Sequence, residues 1–212
     1  VINVGANQFA SVGNPYASAI DFSKLSISGG VQDIFYVWDP KLTSSGNSAY
    51  GLGGYQTFIG PGPNYTVIPG GGSFAGGNTK IESGMAFFVR ADGIPGTLSF
   101  SETAKTDGSN LVTRGGTNRT LQQIKVNLSV VSNGQAILLD GALSQFNTGW
   151  SGDIDRLDAV KIGGQGGEQM GILGAGSVTL VAERRPLLTV NDIIQYQFGQ
   201  LKRQTYRLEF DI

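Results

Sequence analysis

The 212 residues include 33 glycines but no cysteine and no histidine, and 15 basic against 16 acidic side chains leave a net charge of −1. Glycine at roughly twice its usual share of about 7%, with charged residues at only 15%, excludes helical bundles and coiled coils, and the near-neutral balance gives no reason to bind nucleic acid or anionic membrane. Without cysteine or histidine there are no thiolate nucleophiles, disulfides, zinc–thiolate sites or imidazole bases.

Val1-Ile2-Asn3-Val4 has neither the charge nor the apolar run of a signal peptide, so the chain reads as a fragment or mature product whose export signal lies elsewhere. Asn14-Pro15-Tyr16 is a structural turn: Asn bonds its own backbone, Pro presets φ, and Tyr buries its ring. Ala17 to Leu25 is the one stretch suited to a helical turn. Short apolar runs then recur between Gly, Asn, Ser and Pro breaks, the spacing of an all-β sandwich or barrel. They are Ile34–Trp38, Met85–Val89, Thr97–Phe100, Ile124–Val130, Ser177–Val181 and Thr205–Phe210. The strict alternation in Ile124–Val130 and Thr205–Phe210 predicts antiparallel strands with one wet face. Residues 41–79 are Gly-, Ser- and Pro-rich and predict extended loops on a sparse scaffold. No run reaches the length of a membrane-spanning helix.

The expected fold is all-β, an antiparallel β-sandwich of jelly-roll or immunoglobulin-like type with two lobes. Residues 1–104 form an N-terminal lobe with Gly/Pro-rich loops, 105–119 a linker, and 120–212 a C-terminal sandwich lobe.

Three constellations carry chemistry. In Gly152-Asp153-Ile154-Asp155-Arg156-Leu157-Asp158, with Asp140 upstream, carboxylates at alternating positions suit a calcium ion, so Asp153, Asp155 and Asp158 are the candidate ligands. The loop lacks the remaining ligands of an EF-hand and Arg156 repels a cation, so the favoured reading is a turn that starts a strand, with Asp158 paired to a nearby Lys or Arg. No other cofactor is expected. Tyr50, Tyr55 and Tyr65, in the Gly-rich loops, are the candidates for stacking on a sugar ring. Against that, no acidic residue lies between Asp39 and Glu82 to bond sugar hydroxyls, and the rings are expected to stiffen the loops against Pro61, Pro63 and Pro69. Glu183-Arg184-Arg185-Pro186 ends a strand at a corner, its arginines either binding an anion or pinning a loop. No Ser-x-x-Lys pair and no singled-out carboxylate pair is present, so the chain is not expected to be an enzyme.

Six blocks bear a resemblance. They are Val12–Ser18 with Ile20-Asp21-Phe22, Phe35–Pro40, Gly54–Phe58, Ile81–Arg90, Asp155–Lys161, and Glu183–Leu187 with Asn191-Asp192. In this order they resemble a β-rich module that precedes the type IX secretion sorting domain in large secreted and cell-surface proteins of the Bacteroidota. Met85 stands where that family more often has Gln. The resemblance implies a secreted or outer-surface location and an all-β architecture, without an activity. The expected function is a non-catalytic structural or adhesion module beside adjacent domains of its parent protein, contacting surface glycans or other surface proteins, without membrane insertion. The alternatives are a carbohydrate-binding module on an exported enzyme, or an extracellular filament subunit that exchanges its Val1–Val4 strand.

Overall fold

Strands dominate the chain because its apolar residues come in short alternating runs, too short between glycines to sustain a helix. The computed structural model describes residues 1–39, 42, 53–61, 64–74, 76, 79–107, 122–163 and 167–212. Among them are fifteen strands and three single-turn 3-10 helices, and the class is all-β as the sequence predicts. One of those turns, Phe22–Lys24, falls inside the predicted Ala17–Leu25 stretch and is capped by Asp21. No helix among these residues is long and apolar enough to cross a membrane.

The chain divides into two compact units. The first comprises Val1–Trp38, Gln56–Val67 and Phe74–Gly116, and the second Asp39–Tyr55, Ile68–Ser73 and Thr117–Ile212. The units therefore interleave in sequence. The predicted linker falls largely outside the described residues.

The first unit is built on β1 (Ile2–Val4), β2 (Phe9–Gly13), β3 (Ile20–Asp21), β4 (Ser26–Asp39), β5 (Gly54–Ile59), β6 (Thr66–Ile68), β7 (Lys80–Ile81) and β8 (Ala86–Ser99), apart from the strand ends Asp39, Gly54, Tyr55 and Ile68, which fall in the second. One sheet runs β1-β8-β4-β5-β6 with β2 also beside β8, and β3 pairs with β7 in a small second sheet. Within Val1–Val4, β1 pairs with β8 and Val4 is buried. The runs Met85–Val89 and Thr97–Phe100 belong to one long strand, because β8 continues through Gly93 and Pro95 where its register against β4 shifts. Such a bulge lets a strand carry residues that a regular ladder rejects. The core is aromatic: Phe35 stacks on Phe58 with centroids 4.4 Å apart and lies 4.4 Å from Phe22, while Phe87 meets Phe22 edge-on at 5.8 Å.

The second unit holds β9 (Gln122–Ser132), β10 (Gln135–Phe146), β11 (Ala159–Val160), β12 (Gln169–Leu173), β13 (Thr179–Arg185), β14 (Tyr196–Gly199) and β15 (Tyr206–Asp211). Their order is β14-β12-β13-β10-β9-β15, with β11 beside β13. The sheet curls until its two end strands approach, Tyr196 of β14 meeting Phe210 of β15 edge-on at 6.3 Å. Val126, Leu128, Met170, Ile172 and Leu180 fill the concave face. Asn133 and Gly134 join β9 to β10 as a two-residue loop with φ of 50° and 76°, the mirror-image turn that matches strand twist and that few other residue pairs adopt. One pairing departs from the expected antiparallel pattern, since Leu143–Phe146 of β10 run parallel to Ala182–Arg185 of β13. On β10 this parallel segment is buried throughout, from Leu143 to Phe146, whereas on β13 only Ala182 is buried and Glu183–Arg185 are half-buried.

Residues 68–73, placed by the sequence in the first lobe, belong to this second unit. Gly70 donates its N–H to Asn127 of β9 at 3.2 Å, and Ser73 donates from its backbone N (2.6 Å) and Oγ (2.8 Å) to Asp39.

Candidate functional site

The concave feature of the first unit is a cleft of about 410 Å³ beside the 3-10 turn, walled by Phe22, Leu25, Ile27 and Pro61 and edged by Ser23, Asp33 and Tyr65. β4 supplies Asp33, and the segment between β5 and β6 supplies Pro61 and Tyr65. The Tyr65 hydroxyl donates to Asp33 Oδ1. Gly60 donates its N–H to the Asp33 carbonyl at 3.0 Å, and a Cβ there would lie 2.5 Å from Asp33 Oδ2 and 2.8 Å from the Tyr65 ring. Position 60 must be glycine for the Asp33–Tyr65 pair to form. Burial, then the bond to Asp33, hold the Tyr65 phenol above its usual range, so at neutral pH it stays protonated and donates. Asp21 sits on the same turn. Burial raises its carboxyl, but bonds from Ser23 Oγ (2.7 Å), Thr79 Oγ1 (2.5 Å) and Ser23 N (3.1 Å) outweigh this and hold it below the usual carboxylate range.

The aromatic candidates do not share an environment. Tyr65 belongs to the aromatic core, only 3% exposed, and offers no ring face for stacking. Tyr55 lies half-buried in β5. Tyr50 falls outside the described residues. Tyr36 is fully buried with its ring 5.3 Å from Phe9, whereas Trp38, two residues along, is substantially exposed. Asp33 has no local signal in the sequence, because Tyr65, in the segment after β5, is brought to it only by the pairing of β4 with β5.

In the second unit, Asp158 is 3% exposed and bridges two elements. Its Oδ2 accepts from the Asp155 backbone N at 2.8 Å, closing the turn, and its Oδ1 accepts from the Arg184 backbone N at 2.7 Å, fastening that turn to β13. Burial pushes its carboxyl up to about 6 despite these two donors. Asp155 Oδ1 accepts from the Leu157 N at 2.7 Å, and Asp153 is exposed, its backbone N–H donating to Ser151 Oγ at 3.0 Å. Among the described residues no group of three or more acidic side chains is placed to hold a metal ion. Asp140, also named with this loop, lies at the β10 register shift. There it takes Lys161 Nζ at 2.7 Å and the Met170 N–H at 2.8 Å, with both charged side chains more than nine-tenths buried.

The paired arginines are spread over the protein's own groups. Arg184 donates Nε to Gln145 at 3.0 Å and lies over the Trp150 ring at 5.4 Å, while Arg185 reaches Glu183 at 3.5 Å and Asp192 at 3.8 Å. β13 ends at Arg185, where Pro186 removes a ladder donor. The Asn14 turn is built as expected: its amide donates to the carbonyls of Ser18 (2.9 Å), Ile81 (3.1 Å) and Glu82 (3.1 Å), and its Oδ1 accepts from the Tyr16 N–H at 3.0 Å.

No family model, no curated protein and no solved structure matches the chain.

Proposed function

We propose that the chain is a non-catalytic extracellular structural or adhesion module of a secreted or surface-anchored bacterial protein exported by the type IX system. What carries this reading is the use made of its most enclosed carboxylates. Asp39, Asp140, Asp158 and Glu168 all accept bonds from the chain's own backbone or side chains, and these bonds close turns or tie strands to one another and to the segments between them. A catalytic acid or base instead turns a perturbed carboxyl into an open cleft, where a reacting group reaches it. Lone pairs committed to turns and strand junctions build stiffness, which is what a spacer or an adhesive display surface needs. The resemblance of the six sequence blocks adds the location and the secretion route. In a Bacteroidota host, an antibody to the module is expected to label intact cells or the culture medium, and the label is expected to vanish when the type IX translocon is removed. Labelling only after lysis, or export that survives loss of the translocon, would reject the reading.

A carbohydrate-binding module on an exported enzyme is the second reading, favoured by the cleft, where the Asp33 carboxylate and Ser23 hydroxyl stand beside the apolar Phe22 and Pro61. Calorimetric titration with oligosaccharides separates the two. A spacer gives no heat, whereas a sugar site gives micromolar to millimolar binding, worth about 4 to 8 kcal/mol, that Asp33→Ala abolishes.

A further inference from the structure

β15 ends the curled sheet, and among the described residues the one strand hydrogen-bonded to it is β9, while β14 reaches it through the Tyr196–Phe210 ring contact and leaves its outer backbone edge without a paired strand. Its pairing with β9 is unbroken from Tyr206 to Asp211, and the strand contains no proline. Charged blocks, prolines and bulges are the usual means by which edges are kept from pairing with another chain. This edge has neither of the last two. Leu208 and Phe210 lie on the same face as Tyr206, opposite Leu128, Val126 and Val130, yet remain 40% and 55% exposed. On the other face Arg207 donates to Glu209 at 2.5 Å, with both side chains about half exposed.

We propose that the β15 edge pairs antiparallel with the β15 edge of a second copy of this chain, about a two-fold axis through Leu208. The order of side chains argues for a second copy because it is complementary to its own reverse. Centred on Leu208, Arg207 faces Glu209 of the partner subunit and Glu209 faces Arg207 of the partner subunit. On the opposite face Leu208 meets the partner's Leu208, and Tyr206 meets the partner's Phe210. The charges also fix the register. A slip of two residues puts either Arg207 beside the partner's Arg207 or Glu209 beside the partner's Glu209, and a slip of one residue turns the apolar face outward. Parallel pairing in register aligns like charges throughout. The contact is isologous, so two copies satisfy each other through this edge and it does not propagate into a fibre.

Sedimentation velocity of the 212-residue chain over a dilution series at low salt tests this. A reversible monomer–dimer equilibrium is expected. Arg207→Glu and Glu209→Arg should each weaken it at least about tenfold, and the double reversal R207E/E209R should restore it to within about threefold, since the swapped charges are again complementary. The pair is exposed, so the single variants should keep the wild-type circular dichroism and melting temperature at monomeric dilution. Hydrogen exchange supplies a second readout, with β15 amides more protected in concentrated than in dilute wild-type protein. A chain that stays monomeric at all concentrations overturns the proposal, whether or not its edge captures a foreign strand. So does a dimer indifferent to Arg207→Glu, or one that the double reversal fails to restore.

Discussion

The two units solve the problem of a core in different ways. The first packs aromatic rings, Phe22, Phe35, Phe58 and Phe87, in stacked and edge-on contacts, and keeps its carboxylates Asp21 and Asp33 at the margin beside the cleft. The second packs aliphatic side chains and takes carboxylates inside, fastening Asp140 to Lys161 and Asp158 to two backbone donors. Apolar packing is tolerant in geometry and insensitive to pH. Buried charge is the reverse, because every lone pair left without a donor costs more than the bond contributes.

The largest test of the contrast is Phe35→Ala. It removes the ring shared by Phe22 and Phe58 and should cost about 4 kcal/mol, read by denaturant unfolding, with hydrogen-exchange protection lost first in β4 and β8. Protection lost equally in β10 and β12 would mean that the aromatic core supports both units. Lys161→Met comes next. It leaves the Asp140 carboxylate buried without its cation, for about 3 kcal/mol, with loss expected in β10 and β12. If Asp140→Leu/Lys161→Met together recovers most of that loss, the penalty belongs to the orphaned charge and not to lost packing.

The smallest effect is the most diagnostic. Asp158 titrates near 6 in the folded chain and a little below 4 in an unfolded one, so between those values the folded state holds a proton that the unfolded state has released. Stability from this group therefore falls as pH rises from about 4 to 6, by on the order of 2 kcal/mol, and is level outside that window. Asp21 has the opposite sign: its folded carboxyl is held low, so its contribution is present above about pH 4 and is lost as the medium becomes more acid. Melting temperatures of wild type and Asp158→Asn should differ at the low end of this range only by a constant loss where the Asn amide faces one of the two backbone donors, since both side chains are neutral there, and wild type should fall relative to the variant as pH rises toward 6. Parallel curves would mean that Asp158 carries no folding-linked proton.

What the sequence made legible was local. The alternation in Ile124–Val130 and Thr205–Phe210 became β9, with its apolar face inward, and β15, whose Leu208 and Phe210 share that face but stay exposed, while Asn14 closed its turn and Pro186 marked the end of β13. Asn133-Gly134 between two apolar runs is an equally local hairpin signal. What stayed hidden depends on partners far apart in the chain. Nothing near Asp33 announces Tyr65, nothing near Asp140 announces Lys161, and the burial of Asp158 follows from the course of β13. The parallel match of β10 with β13 was hidden for the same reason, since the residues of a strand do not announce the direction of a partner far along the chain. Residues 68–73 share a composition with the loops around them, and only their bonds to β9 and Asp39 reveal their membership.

The two-residue loop at Asn133 and Gly134 also sets a timetable. A hairpin with so short a closure forms within microseconds, so β9 and β10 can zip together as soon as both have emerged. The other side of β9 must wait for β15, the last strand of the chain described, and until then Val126, Leu128 and Val130 stand as an uncovered edge of high β-propensity. Ribosome-bound or partly translocated chains stalled before residue 206 would carry that edge openly, which makes the closing strand the step after which the second unit no longer needs protection from its neighbours.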